Sequence, residues 1–246
     1  MKTIITIIVT AIVVGGGTFF SLKSIVSRQQ TQCDQQTLLT AKQTVQKRLE
    51  DFSTRTQSQL QSLARVVETD KEFSLRILVE NDRSAPAVTE MAGQFISPMG
   101  LSVLEITDSS RTILSSGHFP ASAGNKSMHK AGALSTKLTA TMENLRGTPT
   151  LTLLAEYPFA IAGFRFYLSG GIIVDTKLLE RLTPNEQILL LLKNGESYLG
   201  MENITSVSAI SDNQIIINDE KYPAAEIELP VAGMDRKISL IVVLKQ

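Results

Sequence analysis

The stretch Leu38–Val67, LLTAKQTVQKRLEDFSTRTQSQLQSLARVV, decides the fold. It contains neither Gly nor Pro and is built from Gln, Lys, Arg, Leu and Ala, which lose little freedom on entering a helix. Within it, Leu38, Ala41, Val45, Leu49, Phe52, Thr56, Leu60, Leu63 and Val67 follow one another at spacings of 3, 4, 4, 3, 4, 4, 3 and 4. Leu38, Leu49 and Leu60 therefore recur every 11 residues, as do Ala41, Phe52 and Leu63. That period is about 3.67 residues per turn, so the stripe stays on one face of a nearly straight helix. The Gly-free and Pro-free run extends from Lys23 to Glu68, a rod of roughly 70 Å if unbroken. Its Phe52–Val67 half is expected to seat on a sheet of its own chain. The segment Ser27–Gln43, mostly Gln and Thr with few apolar anchors, is expected to pair with a second copy, which makes the stalk a homodimer contact.

Upstream, Thr3–Leu22 has no charged residue and is long enough, at about 20 residues, to span the hydrocarbon layer of a bilayer. It lacks the small-residue exit of a cleaved signal peptide, since Gly15-Gly16-Gly17 runs through Phe19-Phe20 into Lys23, so an uncleaved anchor is expected. Lys2 on one side and Lys23 and Arg28 on the other leave the orientation undecided by charge alone. Cys33 has no second cysteine to bridge within the chain; it is either an inert thiol or meets its copy across a two-fold axis.

Composition narrows the function. The 246 residues are 43% hydrophobic, and 24 Lys+Arg balance 24 Asp+Glu, so no net field draws the chain to nucleic acid. With 2 His and 1 Cys, the raw material for a metal centre is scarce, and neither a metal nor a cofactor is expected. No phosphate-cradling Gly loop, nucleophile elbow, H-E-x-x-H helix or C-x-x-C pair is present, so no catalytic residue is expected.

Downstream of the rod, the chain reads helix, break, helix to Phe95, then a hairpin of Leu101–Thr107 and Arg111–Ser116 across Asp108-Ser109-Ser110. A polar loop from His118 to Lys130 leads to Ala131–Leu145, where Leu134, Leu138, Met142 and Leu145 suggest a helical face. Thr150–Pro158 and Ala162–Gly170 read as paired strands turning near Phe159–Ile161. A short helix follows, closed by Pro184, and then five short strands: Gln187–Lys193, Tyr198–Gly200, Asn213–Ile217, Ala225–Leu229 and Lys237–Leu244.

The run Gly100-Leu101-Ser102-Val103-Leu104-Glu105-Ile106-Thr107-Asp108, followed by Arg111-Thr112-Ile113-Leu114, Gly117-His118 and Gly124, resembles the Cache-type extracytoplasmic sensor domains of bacterial histidine kinases, cyclic-di-nucleotide enzymes and chemoreceptors. Leu151–Pro158 and Gly170–Asp175 resemble that family's later paired strands, although Ser109-Ser110 stands where many members turn on Gly. The resemblance covers Leu38–Leu182 well and the remainder weakly. It implies an α+β fold in which the long helix packs on a PAS-like antiparallel sheet, followed by a smaller, mainly β, membrane-proximal module. The corresponding division is 1–22 anchor, 23–68 stalk helix, 69–182 Cache sensor module and 183–246 β-rich module. Such domains sit between two membrane helices, so a second membrane helix is expected beyond Gln246, with the globular part on the periplasmic side of the bacterial inner membrane.

In that family the sheet face turned away from the helix receives a small molecule. Alternation places Phe164, Phe166 and Leu168 on the helix side and Arg165, Tyr167 and Ser169 on the other. An Arg fork beside a phenol suits a small carboxylate or other anion. Tyr157, Arg111, His118 and Arg146 are expected to converge with Arg165 and Tyr167 on this pocket. His118 as a metal ligand has nothing nearby in sequence to recruit, His129 being 11 residues away. The reading favoured is a receptor sensor domain of histidine-kinase type that binds a small molecule and signals to a cytoplasmic output. The alternatives are an anchored envelope assembly protein without a ligand, or an anchored hydrolase using Glu105, Asp108 and Glu156.

Overall fold

A single helix, α1 (Lys2–Thr69), opens the chain, and the apolar stripe is the side of it that is buried. In the computed structural model the backbone is described for all residues except 1, 130–132, 146, 201–205, 212 and 246, and side chains are further undescribed at 2–28, 30, 31 and 209–211. The anchor reading of Thr3–Leu22 therefore rests on side chains outside the described residues; among the described residues no helix is long and apolar enough to cross a membrane. Val45, Leu60, Leu63 and Val67 are fully buried, Thr56 is 1% exposed, and Leu49 and Phe52 pack partly buried against the same core.

After α1 come α2 (Lys71–Ser74), capped by the Asp70 carboxylate accepting from the Phe73 N–H, a π-helical turn (Leu75–Val79), α3 (Pro86–Thr89) and α4 (Met91–Ile96). Then strands β1 (Val103–Asp108), β2 (Ile113–Ser116), β3 (Thr139–Leu145), β4 (Thr148–Ile161) and β5 (Phe164–Ile173) form an antiparallel five-stranded sheet in the order β2-β1-β5-β4-β3. α5 (Thr176–Leu182) leads to a second, six-stranded sheet: β6 (Ile188–Asn194), β7 (Ser197–Gly200), β8 (Val207–Ser211), β9 (Gln214–Ile217), β10 (Glu220–Leu229) and β11 (Ile238–Leu244), ordered β7-β6-β11-β10-β9-β8. The fold is α+β, as the sequence predicts.

Three sequence expectations need correction. Ala131–Leu145 is not a helix: residues 139–145 are β3, an edge strand paired with β4 from Thr139–Leu154 to Leu145–Thr148. The Leu134, Leu138, Met142 and Leu145 spacing mimics a helical face. However, the turn at Gly147 (φ 90°), whose N–H donates to Asn144 Oδ1, folds the segment back as a hairpin, and long-range pairing overrides a short periodicity. The β4–β5 turn lies at Ala162-Gly163, both with positive φ, two residues later than expected. The second sheet has six strands, since β8 adds to the five expected.

A fourth correction concerns the stalk. Leu38 and Ala41, each 6% exposed, lie in the same apolar cluster as Ile227, Leu229, Leu240 and Val242 of β10 and β11. The stripe thus packs on its own chain along its whole described length, with Leu60, Leu63 and Val67 on the first sheet and Leu38, Ala41 and Val45 on the second. The joint between the sheets is polar: Arg48 Nη1 donates to the carbonyls of Arg181 (3.1 Å) and Thr183 (2.7 Å), capping the C-terminus of α5. The free edge of β3 is covered by residues after β10, with the Ala140 N–H donating to Pro230 O (2.7 Å) and the Ala232 N–H to Ala140 O (2.9 Å).

β5 carries two adjacent glycines at close approaches, Gly170 against α1 and Gly171 against β4. A Cβ on Gly170 would lie 2.7 Å from Leu60 Cδ2, and one on Gly171 would lie 1.9 Å from the Leu153 carbonyl oxygen. The first contact is with a movable methyl, the second with backbone. Leu60→Ala is expected to cost about 2–5 kcal/mol of stability. Gly171→Ala is expected to lower the urea midpoint more than Gly170→Ala does; the reverse order would show that β5 does not approach β4 and α1 as described.

Candidate functional site

The register sorts the first sheet into two faces. Leu104, Ile106, Leu168, Ala155 and Ala140 face α1. Opposite neighbours Glu105–Ser169–Glu156 and Thr107–Tyr167 lie on the other face with Ser116 of β2 and Thr139, Thr141 and Glu143 of β3. Residues from the segments 118–129 and 133–138 pack over this second face, which carries buried ionisable side chains, with Glu105, Arg111, His129, Glu143 and Glu156 all under 9% exposed.

The β1–β2 turn positions Arg111. The Asp108 carboxylate accepts from the N–H groups of Ser110 and Thr112 (2.9 Å each), from Ser110 Oγ (2.8 Å) and from Arg83 Nη1 (2.7 Å). Burial pushes the Asp108 carboxyl up, but these hydrogen bonds and the Arg83 charge outweigh it and hold the group below the usual carboxylate range. Arg111 then takes the left-handed backbone conformation (φ 64°) that a Gly turn would accept without strain. Its guanidinium grips both oxygens of Glu156, lies 4.0 Å over the Tyr167 ring, and is held above its ordinary pKa first by the Glu156 hydrogen bond. Ser169 Oγ donates to Glu156 at 3.3 Å. Arg111 Nε and Thr107 Oγ1 are buried without a hydrogen-bond partner among the described residues.

Beside this pair lies a second set. His118 Nε2 is 3.8 Å from Glu105 Oε1, and its Nδ1 faces Ser116 Oγ at 3.3 Å. Glu143 reaches the same point from β3 and is held by His129 Nε2. Ligand atoms of Glu105, His118 and Glu143 all lie within 4.8 Å of one another, so these three residues can hold a metal ion. β2 and β3 are the two edges of the sheet, so the sheet must curl around this face for Glu143 to meet His118. Burial, and then the Glu143 charge, push the Glu105 carboxyl up to about 8. Burial also lowers His118, against the Glu143 charge.

Of the residues expected at the site, Arg111, His118 and Tyr167 lie on this face. Arg165 is on the same strand face but exposed. Tyr157 is not there: it pairs with Leu168 and packs against the core on the α1 side, because the strand alternation of β4 turns it away from Glu156. Arg146 lies outside the described residues. The hydrolase set does not assemble, since Asp108 is held in the β1–β2 turn by Arg83 and Glu156 is taken by Arg111. Sequence reading missed Glu143 and His129, hidden in a segment read as loop and helix, and with them the partners that His118 was expected to lack.

No family model matches the chain, and no curated protein matches it in sequence. Solved structures do. The sensor domain of the Vibrio cholerae histidine kinase DctB superposes with a TM-score of 0.55 at 11% identity, over 86% of this chain and 98% of that one. The periplasmic domain of Vibrio cholerae LuxQ gives 0.53 at 13% identity, over 85% and 100%. The ligand-binding domain of the Campylobacter jejuni chemoreceptor Tlp3, in complex with 4-methylisoleucine, gives 0.54 at 11% identity, over 86% and 90%. The chain has the fold of a Cache-type, PAS-like extracytoplasmic sensor domain. Each of these superpositions runs through 85–86% of the chain.

Two outcomes follow for the ionisable face. Arg111→Met leaves the Glu156 carboxylate buried and unpaired and is expected to cost about 3–5 kcal/mol, most of it recovered when Glu156→Gln is added. A single substitution as mild as the double one in urea denaturation would show that the pair is not buried. Glu105 binds its proton more tightly folded than unfolded, so with chelator present stability is expected to fall as pH rises from about 4.5 to about 8 and then to level. Glu105→Gln should flatten that decline in urea midpoints measured across the range.

Proposed function

We propose that this chain is the periplasmic ligand-sensing part of a bacterial transmembrane receptor of sensor histidine kinase type, anchored in the inner membrane through residues 3–22 and dividing at 22, 68 and 182. The observation that carries this reading is the buried ionisable set on the α1-free face of the first sheet, in a fold shared with a sensor domain over 86% of the chain. Buried charges cost several kcal/mol each unless matched, so a fold that keeps them under one loop uses them.

The groups on that face bear on the ligand. The Arg111 fork, the natural seat for a carboxylate, is filled by Glu156, and Glu105 and Glu143 add two acids beside it. This balance favours a cationic or amine-bearing ligand over the small anion that Arg165 and Tyr167 suggest by themselves. α1 touches both sheets along one stripe and Arg48 sits at their joint, so a shift of the first sheet on ligand closure passes to α1 as a displacement of a stiff rod. A homodimer would use a side of α1 other than the stripe, where Cys33 and Leu39 are exposed.

A thermal-shift screen of the purified protein against amines, amino acids and carboxylates is expected to find a stabilising ligand, because binding to the native state alone raises apparent stability. A single alanine inserted between Gln32 and Cys33, ahead of the packed stripe, rotates everything before it by about 100°. Ligand-dependent output of the receptor in cells is expected to be lost while affinity is kept. Unaltered output would rule out transmission through the rod.

A further inference from the structure

We propose that Glu105, His118 and Glu143 form a divalent transition-metal site, a reading that deepens the proposed sensor function by naming what its face receives. The three residues come from β1, from the end of the β1–β2 hairpin and from β3, and their ligand atoms lie within 4.8 Å of one another. A tetrahedral ion about 2.1 Å from each ligand atom holds those atoms about 3.4 Å apart, so side-chain adjustments of an ångström close the site. His118 and Glu105 are already at 3.8 Å.

The surroundings are arranged as metal ligands require. A coordinating imidazole needs one nitrogen bare and the other held; Nε2 faces Glu105, while Nδ1 lies 3.3 Å from Ser116 Oγ. His129 Nε2 hydrogen-bonds the Glu143 carboxylate, an outer contact that restrains it. The side chains of all four are about 5–6% exposed. A groove of about 570 Å³ lined by Thr89, Glu90, Gln94, Pro120 and Ala123 includes Ser116, the neighbour of His118 Nδ1.

A separate observation points to a cation. Glu105 is 4% exposed, yet among the described residues its carboxylate has one long hydrogen bond, 3.5 Å from Ser127 Oγ, and Oε1 has none. The nearest guanidinium, Arg111, is committed to both oxygens of Glu156. Glu105 thus faces a second carboxylate and a neutral imidazole nitrogen, three electron-pair donors aimed at one point with nothing between them to bond. A bound cation satisfies all three. One imidazole with two carboxylates selects Zn²⁺ or a neighbouring first-row ion over Mg²⁺ and Ca²⁺, which take oxygen ligands throughout, and three protein ligands leave a fourth position open.

The test is calorimetric titration of the chelator-stripped, full-length protein with ZnCl₂, with MgCl₂ as control. One Zn²⁺ per chain and a raised melting temperature are expected, with no response to Mg²⁺ at the same concentration. Glu105→Gln and His118→Asn, each checked for folding by circular dichroism, should lose stoichiometric binding, and His129→Asn should weaken it about 10–100-fold. Failure of the wild type to bind Zn²⁺, or equal binding by folded Glu105→Gln and His118→Asn, overturns the site. If Zn²⁺ is ignored while an organic compound stabilises the protein, the sensor reading stands without the metal. If Zn²⁺ binds as expected but leaves receptor output unchanged, the site stands and the metal-sensing role falls.

Discussion

Both sheets of this protein are laid against one continuous apolar stripe of α1, and that stripe can serve both only because its period keeps it on one side. A heptad repeat would wind the apolar positions around a supercoil axis, and sheets packed at Leu60 and at Leu38 would then face different directions. At an 11-residue spacing the helix stays close to straight, and Leu38, Ala41, Val45, Leu60, Leu63 and Val67 line up as a single seat. The approach is closest at Gly170, where any side chain would meet Leu60, so glycine lets the strand backbone come near the helix there. Thr56, buried among these residues, fits the spacing with a side chain the size of valine.

Committing one face of the first sheet to α1 determines what the other can be. A sheet with both faces apolar would bury more area, but here the α1-free face carries Glu105, Glu143, Glu156 and Arg111 and is closed by a loop rather than a helix. The cost of burying these charges is met in two ways. Arg111 and Glu156 neutralise each other in a bidentate pair, stacked on Tyr167 and fixed by a strained turn that Asp108 organises. Glu105 has no such partner and is left to a proton, or to a cation shared with His118 and Glu143. The difference separates a structural ion pair from a site that can respond to something arriving from outside.

The β-rich second sheet completes the lower half of the stripe. It places Ile227, Leu229, Leu240 and Val242 against α1, and the opposite face gathers Leu189, Leu191, Ile215, Ile217, Ile241 and Val243 into a cluster of its own. The segment after β10 then pairs with the edge of β3, so the sheets are joined by backbone hydrogen bonds as well as by the helix.

What the sequence by itself determined was everything governed by local periodicity. The straight stripe, the β1–β2 hairpin and the alternation that puts Leu168 and Phe166 in the core and Tyr167 opposite were legible, because a helix repeats near 3.6 residues and a strand at 2; Phe164, expected with them in the core, is instead 62% exposed at the start of β5, beside the turn. Only the tertiary structure decided the rest. Residues 139–145 form β3 despite apolar residues at helical spacing, because that spacing carries no information about the strand waiting to pair with them. Tyr157 was assigned to the wrong face because register, not composition, sets which side a strand residue takes. His118 looked isolated for the same kind of reason: its partners Glu105 and Glu143 lie 13 and 25 residues away along the chain, and only a curled sheet brings their side chains to one point.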